Sequence, residues 1–451
     1  MANTYLTRTP SAGNRKTFTI SCWVKRSGLG SPQKAIFTAG DDSSSPLNFF
    51  GFNTNDQIAY WEYSNDTTGI SDFLTTRRFR DTNAWYHIVL AVDTTQATAS
   101  NRIKLYVNGV QETDVVTGGN NLYPQTQNQD LAFNDADGHY VGRYGYSSDS
   151  YFDGLMSHFH FIDGTAYDAS TFGSTDSTTG EWKINTSPSI TMGTNGFTIL
   201  KDGNTITDQS SNSNDFTLGG GTLTKTEDCP SNVFATLNPL QTNLTTLHNG
   251  NCSAGTTSSY QWGMSTLAVN SGKWYVEMKV THGCMVMGIQ DIGKANDRLI
   301  VNGTFWTSGS QSYHLDGFSK FTHDSYGDIS SDASAYPSYG SGDIVMMALD
   351  LDNNKLAYGK NGTWYNSTNP SSGTTNMVSI DAPSSNENGN YGIVFGDTCG
   401  ASDGDFEINF GNGYFGTTAI SSEGTNASGI GKFEYDVPAG YTALSTKGLN
   451  L

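Results

Sequence analysis

The run Trp85-Tyr86-His87-Ile88-Val89-Leu90-Ala91-Val92-Asp93, a polar loop, and then Arg102-Ile103-Lys104-Leu105-Tyr106-Val107-Asn108-Gly109-Val110-Gln111-Glu112 decides the fold class of this chain. Both apolar stretches are rich in β-branched and aromatic residues. Asn-Gly is the dipeptide a two-residue hairpin turn prefers, because both of its central positions need positive φ. The run therefore predicts antiparallel strands. Upstream, Phe18, Ile20, Cys22 and Val24 alternate with Thr19, Ser21 and Trp23, the period-two pattern of a strand with one buried face. Downstream, Tyr140-Val141-Gly142-Arg143 leads through a Gly/Ser/Asp loop to the apolar run at residues 155–162.

The second half repeats the signature. Residues 271–280 alternate, and Ile344-Val345-Met346-Met347-Ala348-Leu349-Asp350-Leu351-Asp352 enters a turn at Asn353-Asn354. Lys355-Leu356-Ala357-Tyr358-Gly359-Lys360 then reaches Asn361-Gly362, so two tight turns predict a three-strand meander. Residues 392–396 and 406–411 add later strands. These patterns predict an all-β chain of two antiparallel β-sandwiches, over 1–170 and 256–412, with 413–451 a tail packing on a sandwich. Residues 171–255, dominated by Ser, Thr, Asn, Asp and Gly, read as a bridging β/loop segment.

Composition narrows the function. A chain of 451 residues has room for two to three domains. Only 35% of residues are hydrophobic and 15% charged, yet 12% are aromatic, which fits sandwiches joined by small polar turns better than disorder. The net charge of −19 leaves no basic footprint for nucleic acid. Nine of the 43 acids are Glu and 34 are Asp, which places the acidity in turns. No apolar run approaches a membrane span, and the N-terminus has no apolar secretory core, so neither membrane insertion nor signal-directed export is expected. The cysteines (Cys22, Cys229, Cys252, Cys284 and Cys399) show no metal spacing. Cys22 and Cys284 read as buried thiols, and pairing of Cys229 with Cys252 stays open.

Residues 18–26, the 85–111 hairpin and the closing segment 151–168 together resemble the concanavalin A-like/laminin G-like fold. That resemblance implies a two-sheet jelly roll that binds glycans or protein surfaces at its loop rim. Residues 271–280, 342–365 and 405–412 are similar to a SPRY domain, which implies a second, non-catalytic sandwich that recognises partners through loops at one end. The tail at 433–446, with residues 157–173 and 229–240, resembles a family of large virion proteins of tailed bacteriophages, especially marine ones. In that family a laminin G-like module, a Ser/Asn-rich bridge and a SPRY-like module follow in this order. The resemblance implies a virion protein made in the host cytoplasm and released by lysis. It would be a tail fibre or receptor-binding appendage, with other virion proteins and a host cell-surface glycan or protein as partners. A capsid decoration or head fibre protein is the alternative, and a phage glycan depolymerase a weaker third. No heptad seam or β-helix repeat fixes an oligomer, so a homo-oligomer stays open.

The search for chemistry favours binding over catalysis. A glucanase on this fold needs two carboxyls about 5 Å apart, and the closely spaced acidic motif that would supply them is missing. His158 and His160 sit at i, i+2 on one strand face, a spacing competent for metal, though two half-exposed strand histidines are the favoured reading. Calcium is the one cofactor the sequence raises. Asn134-Asp135-Ala136-Asp137-Gly138 puts Asp135 and Asp137 at alternating positions in a Gly-terminated loop, against the reading of a plain Asx turn. Asp41-Asp42 is a second candidate. For ligand binding, Trp61 and Tyr63, Tyr144 and Tyr146, and Tyr336 and Tyr339 offer rigid amphipathic rings among small polar residues. Trp61 between Tyr60 and Tyr63 reads equally well as core, whereas the 332–339 loop is expected to be exposed.

Overall fold

The computed structural model describes residues 3–41, 46–65, 68–116, 121–147, 149–201, 205–242, 244, 246–256, 261–281, 284–292, 312–316, 320–324, 328–331, 338–397 and 404–451. The chain divides into two compact units, Met1–Lys225 and Thr226–Leu451. Helical residues among those described form 3-10 turns of three residues, and no helix is long and apolar enough to cross a membrane.

The first unit is an antiparallel sandwich. One sheet has the order Thr217–Gly220, Tyr5–Arg8, His139–Val141, Lys34–Ala39, Leu47–Phe52, Gln57–Asn65, Thr68–Arg78. The facing sheet runs Phe197–Ile199, Gly154–Asp163, Thr17–Arg26, Trp85–Asp93, Ile103–Val107, Val110–Gln111. The Asn108-Gly109 turn forms as expected, with φ of 48° and 81°, the doubly positive geometry only such a pair adopts readily. Phe18, Ile20, Cys22, Val24, Ile88, Leu90, Phe159 and Phe161 fill the space between the sheets with Phe37, Phe50, Tyr60 and Phe133.

Two sequence expectations change here. The strand Thr17–Arg26 is buried on both faces, because residues 167–192 fold back over the outer side of its sheet. The segment 171–255 does not form one bridge. Gly173–Thr175 pairs with Trp182–Ile184, Phe197–Ile199 extends one sheet, and Thr217–Gly220 extends the other, all inside the first unit. Gly219 and Gly220 lie under Tyr5; a Cβ at Gly219 would stand 2.2 Å from that ring.

The second unit is also a sandwich. The seven-stranded sheet Leu237–Thr242, Trp262–Val269, Tyr391–Asp397, Met285–Asp291, Ser312–Asp316, Lys320–Asp324, Asp328–Ser331 belongs to it. Its larger sheet is built around Gly404–Asn409, Lys273–Val280, Ile344–Asp350 and Lys355–Lys360. The expected meander is present: Asn354 has φ 53°, and Asn361 and Gly362 have 49° and 82°. The chain's last residues lie over the outer face of the larger sheet. There Phe433, Val437, Tyr441 and Ala443 pack on Tyr275, Met346 and Ala348. Cys22, Cys229 and Cys252 are free thiols, so Cys229 and Cys252 do not pair. Cys284 is disulfide-bonded rather than a buried thiol. Cys399 lies outside the described residues.

Candidate functional site

Strand alternation alone sorts the residues of the seven-stranded sheet in the first unit. Leu6, Val141, Phe37, Phe50, Tyr60 and Phe73 point into the core, so their strand neighbours point outward. Those neighbours form a row across the strands. Thr7 pairs with Tyr140 and Tyr140 with Thr38; further along, Phe49 pairs with Trp61 and Trp61 with Asp72. The loop after His139–Val141 crosses this face, pinned to Thr38, whose hydroxyl donates to the Arg143 carbonyl (2.9 Å) and accepts from the Gly145 amide (3.2 Å).

Three of the four aromatic residues expected in this unit stand in ring contact, directly or through Phe49, and Tyr63 lies beside them. Trp61 stacks on Phe49 (4.9 Å between centroids, 28°), Tyr144 meets Phe49 edge-on at 5.6 Å, and Tyr146 lies 6.2 Å from Tyr144. Phe49 is 1% exposed and acts as the floor, while Trp61, Tyr63 and Tyr144 are half-buried and Tyr146 is 44% exposed. Burial, then the nearby Tyr63 and Tyr146, pushes the Tyr144 hydroxyl up to about 12, so it stays a neutral donor and acceptor. Burial also raises the Asp72 carboxyl, opposed by a hydrogen bond from Trp61. Rigid ring faces beside a carboxylate and phenol hydroxyls form a surface that can stack on a sugar ring and hydrogen-bond its hydroxyls.

Sequence reasoning missed the other half of the row. Tyr5 packs 6.2 Å from Tyr140 and 6.0 Å from Tyr151, and the Arg143 guanidinium lies over Tyr5 at 4.9 Å and Tyr140 at 5.4 Å. Tyr140 donates to Asp41 at 2.6 Å. The available signal was phase: Tyr5 and Tyr140 alternate with core residues just as Trp61 does.

The remaining candidates resolve differently. Tyr339 is 4% exposed, and its hydroxyl donates to the carbonyls of Met285 (2.6 Å) and Leu315 (3.0 Å). Its expected exposure is therefore corrected: it bridges two strands of the second unit. Tyr336, Asp42 and residues 332–337 lie outside the described residues. Asp135 pairs with Arg15 at 3.0 Å and accepts from the Ala136 amide, and Asp137 accepts from the Gly138 amide at 2.7 Å. Calcium takes six to eight oxygen ligands. A carboxylate already held by a guanidinium does not fit that demand, and no cluster of three acidic, His or Cys residues occurs among the described residues. His158 and His160 are separated by a bulge, with His158 at φ 48°. His160 bonds Thr198 at 2.8 Å, and His158 bonds Ser157 at 2.7 Å.

The two carboxyls most suited to acid catalysis are sealed away. Burial pushes Glu62 up to about 8; it accepts from Tyr60 (2.5 Å), Asn48 (3.4 Å) and the Ala132 amide (2.5 Å). Burial likewise pushes Glu277 up to about 7; it accepts from Tyr275 (3.0 Å), Asn409 (3.2 Å) and the amides of Glu434 and Tyr435 (both 2.9 Å). Both side chains are 0% exposed, so neither reaches a substrate.

No curated protein matches the chain. Among solved structures, the SPRY domain of human HERC1 is similar at 13% identity over 38% of this chain and 96% of that one, with a TM-score of 0.29. A heptameric SAP-like pentraxin from Limulus polyphemus is similar at 12% identity over 36% and 71%, with a TM-score of 0.26. Domain 4 of a GH43 extracellular arabinanase from Geobacillus stearothermophilus, in complex with arabinotriose, is similar at 19% identity over 35% and 64%, with a TM-score of 0.24. Residues 2–169 match the family model of the Concanavalin A-like lectin/glucanases superfamily, so the N-terminal sandwich is a concanavalin A-like/laminin G-like domain.

Proposed function

We propose that this chain is a non-catalytic adhesion protein whose N-terminal sandwich holds a glycan on the outer face of its seven-stranded sheet. The observation that carries the reading is the half-buried Trp61, backed by Phe49 and flanked by Tyr144 and Asp72. A ring fixed from beneath loses little entropy when a sugar stacks on it. The sealed positions of Glu62 and Glu277 support the absence of glycosidase chemistry. The biological setting proposed is the surface of a tailed-phage virion, as a tail fibre or receptor-binding appendage. This rests on the module order and the 433–446 tail; a head decoration protein is the alternative.

An array of bacterial surface polysaccharides tests the glycan reading. Binding is expected, and W61A should weaken it about tenfold or more; binding indifferent to W61A rejects this face. Reducing-sugar release would overturn the non-catalytic assignment. Antibody labelling of particles under negative stain distinguishes tail from head, and absence of label from particles rejects the virion setting.

A further inference from the structure

Arg143 differs from the other well-packed arginines of its domain. Arg15 donates to the Leu131 carbonyl (2.7 Å) and pairs with Asp135. Arg26 reaches Asp56 at 2.9 Å, and Arg102 donates to the carbonyls of Gln96, Pro124 and Ala97. Arg143 is half-buried, yet among the described residues its guanidinium has neither a hydrogen-bond acceptor nor a carboxylate partner, and its Nε is enclosed and unpaired. A guanidinium left without acceptors in a chain of net charge −19 is held for a reason other than internal pairing.

What holds it is aromatic. The rings of Tyr5 and Tyr140 support the guanidinium from below, and the bridge between Arg143 and Tyr151, with Thr38, fixes its backbone. The planar fork is thus positioned with little freedom left to lose. Such a fork matches a carboxylate with two parallel hydrogen bonds. Asp41, beside this patch, accepts from Tyr140, and no carboxylate among the described residues pairs with Arg143.

Arg143 belongs to the same surface as the proposed sugar platform. Tyr140 and Trp61 lie three strands apart, which at a strand spacing of about 4.8 Å is about 14 Å, a span covered by a few linked sugars. Tyr144, the next residue, leans on the Phe49 floor.

We propose that Arg143 reads a carboxylate on the glycan, so that the ligand is an acidic oligosaccharide of the uronic-acid class, with one ring stacked at Trp61 and an acid group at Arg143. This rests on the sugar-binding reading of the face and assigns the class of sugar.

The test is calorimetry on the full chain with a panel of uronic-acid tetrasaccharides (galacturonate, glucuronate and mannuronate) and the same compounds after carboxyl reduction. The wild type should bind at least one acidic member about tenfold more tightly than its reduced form. R143Q should bring the acidic compound down to the level of the reduced one while leaving affinity for the reduced form unchanged. R143K should restore only part of the preference, because an ammonium cannot form the two-pronged contact. Equal wild-type affinity for each acidic and reduced pair overturns the inference, as does an R143Q that keeps the preference. If reduced sugars bind in a Trp61-dependent way without acid preference, the sugar-binding reading stands and this inference falls. If no compound of the panel, acidic or reduced, binds the wild type, the inference falls as well, and the polysaccharide array decides the reading beneath it.

Discussion

The two sheets of the N-terminal sandwich both carry aromatic rings on their outer faces, and only one of those faces is closed. On the six-stranded sheet, Trp23 stacks on His87 (4.9 Å, 22°) and Trp182 lies at the imidazole's edge, nearly parallel to it (6.0 Å, 16°). Trp182 also donates its indole N–H to His87 Nδ1 at 3.0 Å. Because an indole N–H can only donate, Nδ1 must accept, which places the ring proton on Nε2, where it bonds Ser21 at 2.9 Å. Every polar atom of that imidazole is thus used by the protein. On the seven-stranded sheet, Trp61 and Tyr144 rest on a floor of Phe49 beneath the loop after His139–Val141, and both keep part of their rings in solvent; among the described residues no counterpart of residues 167–192 packs on them. Outward aromatic residues are common to both faces. The covering segment decides which face is core and which is free to bind.

Acidification should break the closed face first. Burial, then the neighbouring His158, pulls His87 down to about 3; burial does the same to His160, also to about 3. The unfolded chain binds these protons near 6.5 and the folded chain does not, so stability from each is present above 6.5 and is lost as pH falls toward 3. Each shift is worth on the order of 4 kcal/mol at full loss. Protection factors against hydrogen exchange should therefore fall in Trp85–Asp93 and Gly154–Asp163 below about pH 6. Unchanged protection down to pH 4 would mean the imidazoles are not closed in as described.

Next in size is W182A, which removes the lid and leaves His87 Nδ1 without its donor. A loss of about 3 kcal/mol is expected. The NMR titration of His87 should move back toward the ordinary imidazole range as water reaches it. In the intact protein Gly109 and Gly173 make room for this ring: a Cβ there would stand 2.3 Å and 2.6 Å from Trp182.

The second sandwich closes its larger sheet with a clasp of opposite sign. Glu277 holds the amides of Glu434 and Tyr435, and its carboxyl is raised above the unfolded value of 4.5 to about 7. The folded state therefore holds the proton that the unfolded state has released. Stability from this group is full below 4.5 and declines as pH rises through 7, by about 3 kcal/mol. E277Q should remove that part of the decline; a variant with the wild-type slope would place the pH dependence elsewhere.

The sequence made some of this legible. The Asn108-Gly109 and Asn361-Gly362 turns demand positive φ at both residues, so the hairpins follow from local chemistry alone. Alternation placed Phe18, Ile20, Cys22 and Val24 in the core. It could not show that Thr19, Ser21 and Trp23 are buried too, because the cover arrives from Trp182, far along the chain. Tyr339 misled for the same reason: its loop composition suggests solvent, while its hydroxyl satisfies carbonyls of distant strands. Trp61, Tyr144 and Tyr146 are picked out by residue type, whereas Tyr5 and Tyr140, which lie on the same sheet face, are marked by phase, not composition. Asp135 looked available until Arg15, remote in sequence, took it.

The smallest structural effect is expected where the functional one is largest. W61A removes a half-buried ring whose lower face rests on Phe49 and, unlike W182A, orphans no enclosed imidazole nitrogen. Asp72 loses one donor but stands near water, and its half-exposed carboxyl can be rehydrated. Stability should fall by about 1 kcal/mol or less, a third of the W182A loss, while glycan affinity falls about tenfold or more. Denaturant midpoints and calorimetry on the same preparations measure both. If W61A costs as much stability as W182A, the open face is core after all and the distinction between the two sheets disappears. If W61A is mild and affinity is unchanged, the face is open but idle. A mild loss of stability with a large loss of affinity is the pattern that an exposed ring, fixed from beneath and facing a ligand, has to produce.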